Sequence, residues 1–246
     1  MRIVVDKELL FLSRTIFACV EGTRFFRSKR KDMQMNENKN VRNIMLAEKV
    51  IKGLQSRNME GYFAQTKEDA LKIALEFIPS GASVGWGGSA SIEEIGLKKA
   101  VCEGDYVVYN RDICKTPEEK RETEIKIFGC DYFLSSSNAI TEDGILVNID
   151  GNSNRVAAIA YGPRNVIMIV GMNKVAKDEQ AAMYRARNEA APINTQRFPI
   201  DTPCKKNGSC ANCKSMDTIC CQFLTTRFSR HKGRIKIILV NDNLGF

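Results

Sequence analysis

Between residues 40 and 56 the apolar positions Ile44, Ala47, Val50, Ile51 and Leu54 recur three and four apart, which predicts a helix with one buried face. TKEDALKIALEFIP repeats the pattern with Ala70, Leu71, Ala74, Leu75 and Ile78; Thr66 stands at its N-cap and Pro79 stops it. GASVGWGGSAS then reads as a short strand, a glycine turn and the start of a helix through SIEEIGLKKAV, and DYVVYN as a second strand. Thr116, Pro117 and Glu119 supply a cap, a proline at the first helical position and a capping box for a helix reaching Phe128.

Beyond that helix the pattern changes. DYFLSSS, ILVNID, VAAIAY and VIMIVG are short apolar runs bounded by glycine, asparagine or proline, and they predict four strands. The runs are continuous rather than alternating, as expected where both faces of a sheet are covered. A helix over 176–191 should end before Pro192, and RIKIILV at 234–240 reads as the last strand. This order predicts an α/β fold: a layered, mostly parallel open sheet with helices on both faces, plus an antiparallel portion. No repeat or low-complexity linker interrupts it. One main domain over 35–246 is expected, with a cysteine-rich segment at 203–221 as a late insertion or flap.

Composition narrows the class. With 246 residues, 43% apolar and 27% charged, the chain can bury a sizeable core. No apolar run approaches the roughly 20 residues of a membrane span, so none is expected. Half of the +8 net charge falls in residues 1–34, and the remainder carries no basic stripe interleaved with aromatics, which argues against nucleic acid as a partner. In the N-terminal piece Arg14 and Glu21 interrupt the apolar stretch and no small-residue cleavage site follows, so it is a poor secretory signal. FFRSKRK has the composition of a basic targeting or membrane-surface element. The preferred reading makes 1–34 a poorly ordered extension of a cytoplasmic protein. Its cysteines are then expected as reduced thiols or metal ligands, with most of the lone Cys19, Cys102, Cys114 and Cys130 as small buried apolar residues.

Four stretches carry candidate chemistry. In VGWGGSASIEEIGL, Gly85, Gly87, Gly88, Ser89 and Ser91 place backbone N–H groups and hydroxyls between a strand and a helix, which suits phosphate or carboxylate; close packing would explain the glycines equally. The stretch has neither a Walker lysine nor dinucleotide spacing, and the chain holds no flavin or nicotinamide fingerprint. In SSNAITEDGILVNIDGNSNRV, hairpin turns account for the glycines. They leave Asn138, Thr141, Asn148, Asn154 and Arg155 to orient a polar substrate, and Glu142 or Asp143 to serve as acid, base or nucleophile. Gly171, Asn173 and Lys174 end the VIMIVG strand, where open sheets keep their ligand crevice. His231, the only histidine, sits in a basic loop and is read as a surface residue. Finally, Cys204, Cys210, Cys213, Cys220 and Cys221 fall within nineteen residues. Four thiolates suffice for zinc or an iron–sulfur cluster, although the spacing matches neither a zinc ribbon nor a ferredoxin run; a thiol-rich packed loop is the other reading, and which of Cys220 and Cys221 would be the fourth ligand stays open.

Together these pieces resemble the LUD-domain (lactate utilisation) family. The resemblance rests on VGWGGSASIEEIGL, the long SSNAITEDGILVNIDGNSNRVAAIAYGPRNVIMIVGMNKV stretch, ARNEAAPINTQR, PC…GSCANC…ICC and GRIKIILVNDNLGF, in order from about Met35 to Phe246. It implies a fold like that of ribose-5-phosphate isomerases (NagB/RpiA) and CoA transferases. In those the glycine turn grips the substrate's anionic part. It also implies a redox, electron-transfer role in oxidising lactate to pyruvate, with iron–sulfur partner proteins. The alternative is a non-redox isomerase- or transferase-like enzyme, or a ligand-binding protein, acting on a phosphorylated or CoA-linked molecule with a structural metal. A small anionic organic acid or phosphorylated ligand is expected either way, and self-assembly is left open.

Overall fold

The computed structural model describes residues 22–246, with side chains from residue 37 onward. Residues 1–21 lie outside it, so Cys19 and most of the expected extension are not described. Two units divide the chain at Val41 and Arg42, and the sheets, the core and the cavity all belong to the second, Arg42–Phe246.

Six strands form the main sheet: β1 (Glu60–Ala64), β2 (Ser83–Trp86), β3 (Val107–Tyr109), β4 (Tyr132–Ser135), β7 (Asn165–Gly171) and β10 (Ile235–Val240). They lie in the order β1-β10-β7-β4-β2-β3, every pair parallel. A mixed sheet orders β8 (Val175–Ala176), β5 (Ala139–Thr141), β6 (Leu146–Asp150) and β9 (Gln222–Thr226), with β5–β8 parallel and the other pairs antiparallel.

The continuous apolar runs follow from two covered faces. In β7, Val166, Met168 and Val170 join one core with Val50 and Leu54 of α1 (Gly22–Ser56) and Ile159 of α6 (Asn154–Ala160). Ile167 and Ile169 point the other way, toward Ala70 and Ala74 of α2 (Lys67–Glu76), Ile92 of α3 (Ala90–Glu94) and Val101 of α4 (Leu97–Glu103). The capping box predicted for α5 (Pro117–Phe128) forms between Thr116 and Glu119, and Thr66, the expected N-cap of α2, makes one with Asp69.

Several expectations are corrected. VAAIAY is not a strand but α6: the Asp150 carboxylate accepts from Val156 N, and the alanines carry high helix propensity. Gly96, at φ 75°, splits the helix after the glycine turn into α3 and α4. The helix expected over 176–191 starts at Glu179 as α7 (Glu179–Arg185) and runs on past Pro192. A π-helical turn, Ala186–Ala190, widens the backbone before α8 (Ala191–Thr195), where proline's missing N–H and bulky ring would otherwise disrupt an α-helix. Strands β1 and β9 are too short and irregular in pattern to stand out in the sequence. On α1 the buried stripe is Asn43, Ala47, Val50 and Leu54, while Ile44 is exposed. Cys130 is buried, Cys114 half-buried and Cys102 exposed.

One contact fixes the hairpin β5–β6 against α1. A Cβ on Gly53 would fall 2.3 Å from the carbonyl carbon of Asp143, and one on Gly144, at φ 88°, would fall 2.5 Å from Leu54 N. Two backbones touch here, so only glycine fits. Gly144→Ala should cost about 2 kcal/mol or more, read from the urea midpoint at constant m. A loss under about 0.5 kcal/mol would mean that the turn can slide off the helix.

Candidate functional site

The carboxyl ends of β2, β4 and β7 meet where the chain order reverses, β2 leading outward to β3 and β4 leading back to β7. Open α/β sheets hold their ligand crevice at such a point. A cavity of about 450 Å³ lies there, lined by the Gly88–Ser89 turn after β2, Ser136–Asn138 after β4, Arg155 of α6 and Lys174 after β7. Arg111 and Lys120 add to its wall, as do Arg197 and Phe198 after α8, Met216–Ile219 of the cysteine-rich segment, and Gly245.

Arg155 is the strut of the site. Its Nη1 donates to Ser136 O at 3.2 Å and Asn148 Oδ1 at 2.7 Å, and its Nη2 to Asn138 Oδ1 at 2.9 Å and Ile149 O at 2.6 Å. Asn138 Oδ1 also accepts from Ile149 N at 2.9 Å. Burial pushes the guanidinium's pKa down, while the Asp150 carboxylate 3.9 Å away opposes the shift. A Cβ on Gly87 would meet the Arg155 stem at 2.9 Å, so this glycine lets the arginine pass beneath the turn.

Lys174 is 4% exposed, yet among the described residues no carboxylate pairs with it within 4 Å. Its Nζ donates to Ser91 Oγ at 2.9 Å and Ser136 Oγ at 3.0 Å. Burial, reinforced by the Arg185 and Arg155 charges and opposed by Glu94, brings its pKa down to about 7.

The predicted site residues therefore divide. Gly88, Ser89, Asn138, Asn154, Arg155 and Lys174 line the cavity. Ser91 and Asn148 stand one bond behind it, on Lys174 and Arg155. Gly85 packs against Ile127, and Gly171 admits the backbone of Asp242 and Leu244, whose N–H Asn173 accepts at 3.1 Å. Ser89 Oγ caps Ile92 N, but α3 has only five residues and so only a weak dipole. Thr141 Oγ1 accepts from Ile145 N inside the hairpin.

Glu142 and Asp143, the expected catalytic carboxylates, do not line the cavity. Glu142 pairs with Lys49 and with Lys177, and those bonds hold its pKa down. Asp143 is bonded by Thr141 and Arg57, with the same effect. Sequence reasoning missed Arg111, Lys120, Arg197 and Gly245. Lys120 sits among the many charges of α5, where nothing local sets it apart.

Cys220 is half-buried, and burial raises its pKa to about 11, with further upward pushes from Cys210, Cys204 and Cys213. Cys221 is exposed and its Sγ bonds Thr218 O at 3.6 Å. Among the described residues no three His, Cys, Asp or Glu side chains form a group that could hold a metal ion. Among the described residues no helix is long and apolar enough to cross a membrane.

The family model described as LUD domain matches residues 47–240. No curated protein matches the chain. Among solved structures the chain is similar to a DUF162 family protein from Deinococcus radiodurans, with 10% identity and a TM-score of 0.44. The match covers 82% of this chain and 98% of that one.

Proposed function

Because the chain belongs to the LUD-domain family, a family tied to lactate utilisation, we propose that its cavity binds a small anionic organic acid of the 2-hydroxy or 2-oxo class. The observation that carries this reading is charge. Five cationic side chains line the cavity, Arg111, Lys120, Arg155, Lys174 and Arg197, against two acidic ones, Asp150 and Asp217. Asp150 is committed to Val156 N and Asn152 N, and Asp217 to Asp201 N. Among the described residues Lys120 has no ion-pair or side-chain hydrogen-bond partner. Arg197 faces the rings of Phe198 and Phe246 rather than a carboxylate. Arg111 pairs with Glu124 at 2.9 Å and Arg155 lies 3.9 Å from Asp150, so a carboxylate entering the cavity finds its unpaired cations at Lys120, Lys174 and Arg197.

In this reading the layered sheet is of the isomerase/CoA-transferase type, and the protein works in the cytoplasm as a redox component, handing electrons to an iron–sulfur partner protein. No step here passes through a metal on this chain. Cys204, Cys210, Cys213 and Cys220 are the thiols such a centre would draw on, and stoichiometric iron and sulfide after anaerobic purification would make the chain itself the carrier.

Calorimetric titration with lactate, pyruvate and a sugar phosphate tests the site. Lys120→Gln and Arg197→Gln should each weaken the preferred acid about tenfold, the loss of one charge-assisted contact. Tighter binding of the sugar phosphate would favour the isomerase-like alternative. Unchanged affinity in both variants would remove the cavity from consideration.

A further inference from the structure

Lys174 is a buried amine with no carboxylate within 4 Å among the described residues, and lysines are almost never fully buried unless paired. Its surroundings hold it in one orientation. A tetrahedral nitrogen has four positions; Cε takes one, Ser91 Oγ and Ser136 Oγ take two, and one is left. The residue lines the cavity together with Ser136 and Gly245. Gly245 supplies the open space: a Cβ there would stand 3.2 Å from Nζ and 2.9 Å from Ser91 Oγ. Gly245 N is itself held by the Glu94 carboxylate at 3.1 Å, which keeps both that carboxylate and the glycine in place.

We propose that the Lys174 amine is a covalent catalytic group that forms an imine with the carbonyl carbon of a 2-oxo acid held in this cavity. The proposal rests on the reading of the cavity as an organic-acid site. The step is balanced without any oxidant or reductant. The unprotonated amine adds to the carbonyl carbon, and the carbonyl oxygen leaves as water with two hydrogens from nitrogen. The C=N bond replaces the C=O bond. The Ser136 hydroxyl, on the cavity wall and 3.0 Å from Nζ, is placed to pass a proton between nitrogen and departing oxygen. The cations that line the cavity take the acid's carboxylate and so turn its carbonyl toward the amine. Lowering of an amine's pKa by burial and by neighbouring cations is the standard activation of an imine-forming lysine, and it agrees with this geometry.

The test uses the full chain with pyruvate and sodium borohydride, which reduces an imine to a stable secondary amine. Intact mass and peptide mapping locate any adduct, and calorimetry on the same preparation measures pyruvate binding. The expected result is a single reduced pyruvate adduct on the peptide containing Lys174, absent with lactate and lost in Lys174→Arg. Pyruvate binding without an adduct overturns the imine and leaves the organic-acid reading standing. Absence of binding by lactate and pyruvate alike overturns that reading, and the imine with it. Adducts scattered over surface lysines also overturn the proposal, and mapping of the wild-type chain shows this even where the variant fails to fold.

Discussion

Replacing Arg155 by Met should destabilise the protein by about 3–5 kcal/mol and abolish ligand binding. The side chain donates to four oxygens, Ser136 O, Asn148 Oδ1, Asn138 Oδ1 and Ile149 O. Methionine fills much of the volume but takes one donor from each acceptor: Asn138 Oδ1 keeps Ile149 N and Ser136 O keeps the Ser135 hydroxyl, while Asn148 Oδ1 is left unmet in a place that water reaches poorly. Each buried acceptor left unmet costs about 1–3 kcal/mol, and relaxation recovers part of the sum. Arg155→Lys separates charge from geometry, because an ammonium restores the charge but cannot span four acceptors. It should recover only a minority of the loss. Urea denaturation measures both, and a drop under about 1 kcal/mol for the Met variant would show that the strut is not needed.

The second large effect is a dependence of stability on pH that traces to Lys174. Its pKa is about 7 in the folded protein against 10.5 for an ordinary lysine. Between these values the unfolded chain binds a proton that the folded one does not, so stability rises with pH. The contribution is complete above 10.5 and is lost as pH falls toward 7, with a slope of at most about 1.4 kcal/mol per pH unit. The groups that set the shift sit on three elements: Arg185 of α7, Arg155 of α6 and Glu94 of α3. Tyr62 and Cys130, with pKa values raised to about 12, work in the opposite sense above their ordinary values, as does Cys220. The comparison therefore belongs between about pH 7 and 9, wild type against Lys174→Met. The variant should show a flatter profile and a higher stability at about pH 7. Parallel profiles would mean that Lys174 stays protonated in the folded state.

The features legible in the sequence are local or periodic. Thr66 and Thr116 announce their helices because a cap and its third residue are neighbours in sequence. The β7 and β10 runs, five and four consecutive apolar side chains beside few breakers, announce strands covered on both faces. Lys174, Arg155, Asn138 and the glycine turn stand out because they end strands or follow turns, where open sheets keep their ligands. Glu142 and Asp143 carry the same kind of signal, yet their partners, Lys49 on α1 and Arg57 just after it, lie some ninety residues away. Only the packing of that helix against the hairpin shows that these carboxylates are engaged in ion pairs beside it and not in the cavity.

The sequence alone determined the α/β class, the capped starts of α2 and α5, the two-faced strands and the polar segment around Arg155, since propensity, capping and hydrophobic period act over a few residues. Tertiary structure decided the rest: that VAAIAY is a helix with Asp150 bonded to its first turn, that Pro192 is passed by a π turn, and that Lys120 and Arg197 share a cavity with Lys174. These depend on which distant groups share a dielectric, a hydrogen bond or a void, and such distances are set by strand order, which no local window of the chain contains.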